Sequence, residues 1–446
     1  NSSLNQILYG PPGTGKTYHT IDKALEILGE NLENRDDKKA KFDEYVKNGQ
    51  IVFTTFHQSY GYEEFVEGIK PRIDSEENSK EIEYEIKDGI FKELCEKALD
   101  NYENSVLNAD ELNKKIELKE KVENFLNWLL ETNEPIGKTK GGNFFVIEID
   151  NKTIVIYSEG IERFDGIFNL NLSIFMELLK CKDEFNNATE MFKKVFNRDY
   201  ADRTHTYYFN LVKKFKAYEK QLTAKIENNK NNDNSLKPYI IIIDEINRGN
   251  VSKIFGELIT LIEPSKRIGE KEELKVTLPY SGEKFGVPKN VYIIGTMNTA
   301  DRSITSLDTA LRRRFEFVEM MPDVSKLSMD CEGINLQELL KAINTRIEYL
   351  LDREKTIGHA FFVSVENLED LKKVFQNKII PLLQEYFYND YALIDAVLDK
   401  NGMLEISVEN KDYLKNMTEF IESDKIVYKF SDSNNWSKDT FIKIYE

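Results

Sequence analysis

The stretch Gln6-Ile7-Leu8-Tyr9-Gly10-Pro11-Pro12-Gly13-Thr14-Gly15-Lys16-Thr17 decides how this chain is read. A short apolar run ends in G-x-x-x-x-G-K-T, and a helical pattern follows from Tyr18 to Leu28. Glycines at 10, 13 and 15 let the backbone turn tightly, so successive N–H groups point inward at phosphate oxygens. The helix that begins there adds the positive end of its dipole. Lys16 can reach the β- and γ-phosphates, and the Thr17 hydroxyl is suited to hold Mg²⁺. Gly10, Pro11, Pro12, Gly13, Thr14, Gly15, Lys16, Thr17 and Tyr18 are therefore the expected nucleotide-binding set.

Tyr239-Ile240-Ile241-Ile242-Ile243-Asp244-Glu245 is the second decisive stretch. A continuous apolar strand buried on both faces ends in two carboxylates, as central parallel strands do at their functional edge. Asp244 is the expected second Mg²⁺ partner, through its water shell. Glu245 is placed to polarise the water that attacks the γ-phosphate. Val291 to Met297 reads as a further buried strand ending in Asn298, an amide suited to the attacking water or the γ-phosphate. Asp301 and Arg302 follow, and then Arg312-Arg313-Arg314-Phe315. Consecutive arginines are costly to bury. They are either surface charge or fingers that reach a neighbouring subunit's phosphoryl group.

Length and composition bound the remaining choices. A chain of 446 residues exceeds one ordinary domain, so two or three are expected. No apolar run approaches the roughly 20 residues that cross a bilayer, and no secretory leader opens the chain. It starts almost inside its first strand, so an N-terminal domain is expected to lie outside it. Cys95, Cys181 and Cys331 are far apart without metal-ligand spacing and read as reduced core thiols of a cytoplasmic protein. A net charge of −17 argues against a nucleic-acid coat over the whole surface.

Ile51 to Phe56 reads as a buried strand and Tyr62 to Val66 as a short helix; hairpins are expected within 69–90 and 275–287. Between about 100 and 236 the pattern changes. Leu118 to Leu130 and Leu211 to Ile226 recur at helical spacing, a hairpin flanks Asp150-Asn151-Lys152, and Asn228 to Ser235 forms a polar linker. Lys213, Lys214, Lys216, Lys220 and Lys225, near Tyr207, Tyr208 and Tyr218, suggest nucleic acid, but Glu219 and Glu227 interrupt them. A solvated helix face is the better reading. Ile254 to Ile262 reads as one helix. Beyond Pro322 two helical runs, Leu339–Leu351 and Leu371–Leu383, enclose Ile357 to Phe362. Strand-like pieces follow at Met403–Val408 and Lys425–Phe430. The expected divisions are 1–99 and 237–322 for an α/β core with a five-stranded parallel sheet between helices, 100–236 for an inserted α+β module, and 323–446 for a mostly helical lid and tail.

This order of parts resembles an AAA+ ATPase-type module. Phe56-His57-Gln58-Ser59-Tyr60, Ile243 to Arg248, Met297-Asn298-Thr299-Ala300-Asp301-Arg302-Ser303 and Ala310 to Phe315 look like the McrB family. The resemblance covers 4–99 and 238–390. It implies a hexameric ring, Mg²⁺-dependent GTP hydrolysis, an McrC-type nuclease partner and DNA as the target of the assembly. It also implies Asn298 as first sensor, Asp301 and Arg302 as the signature's charged pair, and Arg313 and Arg314 as trans-acting fingers, with Arg312 as a further candidate. His359 falls in the lid where other AAA+ proteins often carry a sensing arginine. The guanine-reading Asn-Lys-x-Asp of switch proteins has no counterpart. Asn229-Lys230-Asn231-Asn232 lacks the Asp, and Asn410-Lys411-Asp412 has the wrong spacing. GTP use thus rests on resemblance. The alternatives are a MoxR-like ATP-dependent remodeller and a nucleotide-held scaffold without turnover.

Overall fold

The computed structural model describes residues 2–72, 83–161, 165–181, 183–198, 202–221, 234–300, 307–407 and 426–446. The chain divides into two compact units, Asn1–Tyr102 with Ser235–Glu446, and Glu103–Asn234. The larger is built on strands β1 (Asn5–Gly10), β2 (Ile51–Thr55), β3 (Tyr239–Asp244), β4 (Val291–Asn298) and β5 (Glu316–Glu319). They lie in the order β5-β1-β4-β3-β2, all parallel. Ile240 to Ile243 are all fully buried, as a strand covered on both faces requires. Each such side chain contributes about 1.5–3 kcal/mol on burial. The register sets Gly10 beside Asn298 and Thr55 beside Asp244, so Gly10, Asp244 and Asn298, expected at the site, share one sheet edge. That edge is the carboxyl end of the strands, where open α/β sheets bind ligands.

On one face, helix α1 (Lys16–Ile27) lays Ala24 against Ile242 and Ile294, and the helix Arg35–Lys47 adds Phe42. Phe42 is the one buried residue of that second helix, too faint a periodicity to have been read in the sequence. The other face carries Phe56, Phe65, Phe91, Phe255 and Leu258. The helix expected through Ile254–Ile262 is two pieces, Val251–Phe255 and Leu258–Leu261. Gly256 between them sits at φ +51, and its neighbour Glu257 accepts the Tyr62 hydroxyl at 2.6 Å.

Two strand pairs project from this core, Glu67–Arg72 with Glu83–Asp88 and Val276–Thr277 with Lys284–Phe285. The Ser75–Ser79 stretch between the first two lies outside the described residues. Lys92, 3% exposed, joins the pairs by reaching Glu67 at 3.2 Å, Asp88 at 2.7 Å and Glu283 at 2.8 Å. Burial opposes its charge, yet Asp88 and Glu283 win and raise its pKa.

The helical region after β5 runs through Leu336–Leu350, Leu368–Val374 and Ile380–Tyr386, with a π turn at Phe375–Ile379. Pro381 explains that widened turn, since it has no N–H for the α ladder. The tail belongs to the same core: Leu404–Ile406 pairs with Tyr428–Phe430, and Trp436, Phe441 and Ile444 pack with Phe375 and Leu383.

The smaller unit is a four-stranded antiparallel sheet, Ile136–Gly137, Asn143–Ile149, Thr153–Ser158 and Ile167–Asn171, with helices Ala109–Thr132, Leu172–Lys180, Ala188–Phe196 and Arg203–Gln221. Phe125, Phe144, Phe175, Phe192 and Phe215 fill its core. The expected hairpin forms, with Asp150 Oδ1 accepting the N–H groups of Lys152 and Thr153. On Arg203–Gln221 the lysines are engaged locally. Lys213 lies 4.4 Å from the centre of the Phe209 ring, Lys214 pairs with Glu134 at 2.7 Å and Lys216 donates to the Asp183 carbonyl. Tyr207 and Tyr208 are buried and Tyr218 stacks on Trp128, which fits the solvated-face reading. Leu222, Lys225, Ile226, Glu227 and Asn228 to Asp233 fall outside the described residues. Among the described residues no helix is long and apolar enough to cross a membrane.

Candidate functional site

The phosphate loop closes between β1 and α1. Gly13 and Gly15 take φ +76 and +78, the left-handed region that side chains with a Cβ rarely occupy. Lys16 Nζ donates to the carbonyls of Gly10 at 2.9 Å and Pro11 at 2.7 Å. Burial depresses the lysine to about 8, and the fields of Glu245 and Asp244 offset only part of that. Its charge is thus held at the loop without a direct carboxylate contact, in a form that a phosphate would stabilise.

The acidic strand meets the loop through Thr17, whose exposed hydroxyl donates to Asp244 Oδ1 at 2.8 Å. A second hydroxyl, that of Thr296 on β4, donates to the same oxygen at 2.5 Å. Thr296 Oγ1 in turn accepts the backbone N–H of Glu245 at 3.0 Å. Thr296 is 2% exposed. The sequence reading missed it, because a threonine inside an apolar strand ordinarily signals β-propensity. Here it clamps both carboxylate positions. Glu245 sits at φ +51, and its Oε2 accepts Arg248 Nε at 3.1 Å. One residue earlier, Asn247 donates to the carbonyl of Asn298 at 3.2 Å.

Asn298 stands at the end of β4 beside Gly10. Its Oδ1 accepts the N–H of Ala300 at 3.1 Å, leaving the amide N–H groups as the part available to a ligand. Thr299 N–H donates to the Gly10 carbonyl at 3.1 Å, so the end of β4 and the phosphate loop are directly joined. Asp301 and Arg302 lie outside the described residues.

The lid contributes a strap across the loop. Gly358 N–H donates to the Pro12 carbonyl and Ala360 N–H to that of Gly13, both at 2.8 Å. The Phe361 ring occupies the space that a side chain at Gly13 would need. His359, 5% exposed, accepts the Asp323 N–H through Nδ1 at 3.0 Å. Burial and then the Lys326 charge hold its pKa below the ordinary histidine value, so it is a neutral pin between β5 and the lid at pH 7. Tyr18 is half exposed, with the Arg35 guanidinium 3.3 Å from its ring centre.

The arginines differ from one another. Arg314 is held within its own chain, donating to the Ala310 carbonyl at 2.6 Å and reaching Glu263 at 3.3 Å. Arg312 lies over the Phe317 ring at 5.4 Å. Arg313 is exposed and makes no ion pair among the described residues. With Ser3, Glu263 and Glu316, Arg313 and Arg314 line a surface cleft of ≈ 450 Å³.

Comparison with known proteins fits this geometry. Residues 187–315, which include Asp244, Glu245, Asn298 and the arginines, match the family described as AAA domain (dynein-related subfamily). Residues 335–395 match the McrB alpha-helical lid domain. The Type IV methyl-directed restriction enzyme EcoKMcrB subunit of Escherichia coli (strain K12) is 41% identical over 179 residues, 34% of this chain and 38% of that protein. The Type II restriction enzyme BsuMI component YdiS of Bacillus subtilis (strain 168) is 32% identical over 178 residues, 35% of this chain and 51% of that protein. The matched region thus spans about half of these relatives or less. With its parallel sheet, phosphate loop, acidic strand and helical lid, the chain carries an AAA+ module with a lid of the McrB type.

Proposed function

We propose that the chain binds and hydrolyses GTP with Mg²⁺, as the motor of a ring-forming restriction complex. The observation that carries hydrolysis is the convergence of Lys16, Thr17, Asp244 and Glu245 on one sheet edge, with Thr17 and Asp244 joined at 2.8 Å. Thr17 and Asp244 suit Mg²⁺ in donor chemistry, both being oxygen ligands on an open edge. Among the described residues no group of three or more His, Cys, Asp or Glu is arranged for a metal. That agrees with an ion held mainly by phosphates and water. When bound, Mg²⁺ supplies charge neutralisation at the β- and γ-phosphates.

The chain's own groups do the rest. Lys16 leaves the loop carbonyls for phosphate oxygens. The N–H groups of Gly13 to Thr17 cradle the phosphates, with Tyr18 following on α1. Glu245 leaves Arg248 and takes the proton of the attacking water. Asn298 donates its amide N–H to the γ-phosphate or that water. Arg313 from a neighbouring protomer stabilises the charge that builds in transfer, with Arg314 orienting it; Asp301 and Arg302 stay assigned to this site.

In this reading 1–99 and 237–322 form the motor core, 100–236 an inserted module and 323–446 the lid and tail. The chain works in the cytoplasm as a hexamer with an McrC-type nuclease that cleaves modified DNA. The restriction role is carried over from the relatives, and the preference for GTP from the resemblance to the McrB family. Hydrolysis measured with GTP and ATP, with and without DNA and the nuclease, tests it. Selective GTP turnover stimulated by the partner is expected, and a clear ATP preference would point to a remodelling ATPase instead.

A further inference from the structure

We propose that Lys355 is a positioning residue that ties the lid to the sensor end of β4 and thereby sets the amide of Asn298. The inference rests on the reading of Asn298 as the group that meets the γ-phosphate or the attacking water. Ala300 is the link. Its methyl is 5% exposed and belongs to the lid's hydrophobic core with Leu327, Ile357 and Phe362, although the residue sits two positions beyond β4. Its N–H caps Asn298 Oδ1, and its carbonyl accepts Lys355 Nζ. Three parts of one small residue are therefore committed, one to the sensor and two to the lid.

The Lys355 ammonium also lies 4.9 Å from the centre of the Tyr386 ring, a buried residue of the lid. The ring's negative face and the Ala300 carbonyl fix the cation from two sides. Three and five residues on, Gly358 and Ala360 hold the phosphate loop. Lys355 to Phe361 is thus one strap that grips the loop at one end and the sensor at the other. Beyond Asn298 the chain of bonds continues through Asn247 to the turn that carries Glu245. A lid displaced from its seat would pull on Ala300, release the Asn298 oxygen and let the amide turn. This is a physical route between lid position and hydrolysis, made of named bonds.

Lys355→Met keeps the apolar stem and removes the ammonium. We expect kcat to fall five- to twentyfold, with KM and nucleotide affinity within twofold of wild type. Lys355→Arg should recover at least half of the lost rate. Because Lys355 acts through Asn298, the double variant Lys355→Met/Asn298→Ala should turn over no more slowly than Asn298→Ala alone. A wild-type kcat in Lys355→Met, or losses that multiply in the double variant, would overturn the assignment. Amide exchange read by mass spectrometry keeps this separate from the GTPase reading. Peptides covering Thr296–Ala300 should exchange faster in Lys355→Met while those of Leu336–Leu350 stay as in wild type. Equal acceleration in both would make Lys355 a residue of lid stability only. Unchanged exchange in both would also sink the proposal, whichever nucleotide the chain prefers.

Discussion

Replacing Gly358 with alanine asks whether the lid strap is needed for nucleotide binding. Gly358 has φ −72 and ψ 153, a conformation alanine adopts without strain, so only the added methyl matters. That Cβ would stand 1.9 Å from both the carbonyl carbon and oxygen of Gly13 and 2.4 Å from Thr14 N. Ordinary contact begins at 3.4 Å, so the strap must withdraw by 3.4 − 1.9 = 1.5 Å, against backbone that cannot rotate aside. A movement of that size takes the Gly358–Pro12 and Ala360–Gly13 bonds, now 2.8 Å, beyond hydrogen-bonding distance. At about 0.5–1.5 kcal/mol net for each, about 1–3 kcal/mol of lid closure is lost. Nucleotide affinity should drop by roughly five- to 150-fold if closure and binding are coupled. Isothermal titration with GTP measures it, with a parallel melting curve of the free protein. Gly137→Ala is the control, since a Cβ there meets nothing within 4 Å. Wild-type affinity in Gly358→Ala would refute the reasoning that the strap shapes the loop.

Four further outcomes can be checked. Glu245→Gln should keep GTP and Mg²⁺ binding while turnover falls at least a hundredfold, because only the proton-accepting oxygen changes; undiminished hydrolysis counts against Glu245 as the base. Arg313→Ala chains mixed with Lys16→Ala chains should regain part of the activity both lack, since a mixed ring restores intact sites, whereas Arg314→Ala should also lower the melting temperature through its contact with Glu263 and Ala310; no rescue at any ratio argues against fingers acting across subunits. Burial holds Lys16 at about 8 in the free chain, and phosphate favours its charged form, so affinity should be highest below that pH and weaken by up to about tenfold per unit above it. Titration at pH 8.5 should then give a binding enthalpy that depends on the buffer's ionisation heat, and titration at pH 7 should not; equal dependence at both would exclude proton uptake by Lys16. Arg267 is fully buried, bonded to the carbonyls of Ile262, Pro288 and Val291 and to Asn5 Oδ1, so Arg267→Leu should lose about 3 kcal/mol in urea unfolding as four buried hydrogen bonds disappear and Asn5 Oδ1 loses its charged donor, and Arg267→Lys should not restore it.

The groups proposed to bear charge or donate to phosphate were legible because each sits in a contiguous run with a backbone requirement of its own. Gly10 to Thr17 needs left-handed glycines before a helix, and Ile240 to Glu245 needs a strand buried on both faces until its last residues. Asn298 could be read the same way, from the end of a strand. The residues that hold those groups in place could not be found by that route. Thr296 looks like any strand threonine until β3 and β4 are paired and its hydroxyl falls between Asp244 and the Glu245 amide. Gly358 has an ordinary φ, so its need to be glycine comes only from the nearness of Gly13, 345 positions earlier. Phe441 and Trp436 carry no periodicity to tie them to Phe375, yet they complete the lid core from the far end of the chain. Arg314 looked equivalent to Arg313 until Glu263 and Ala310 claimed it. Local sequence thus encodes the candidate reactive groups, and non-local packing encodes their orientation. Gly358, Lys355 and Thr296 are accordingly where substitutions should alter rate or affinity without touching a reacting atom.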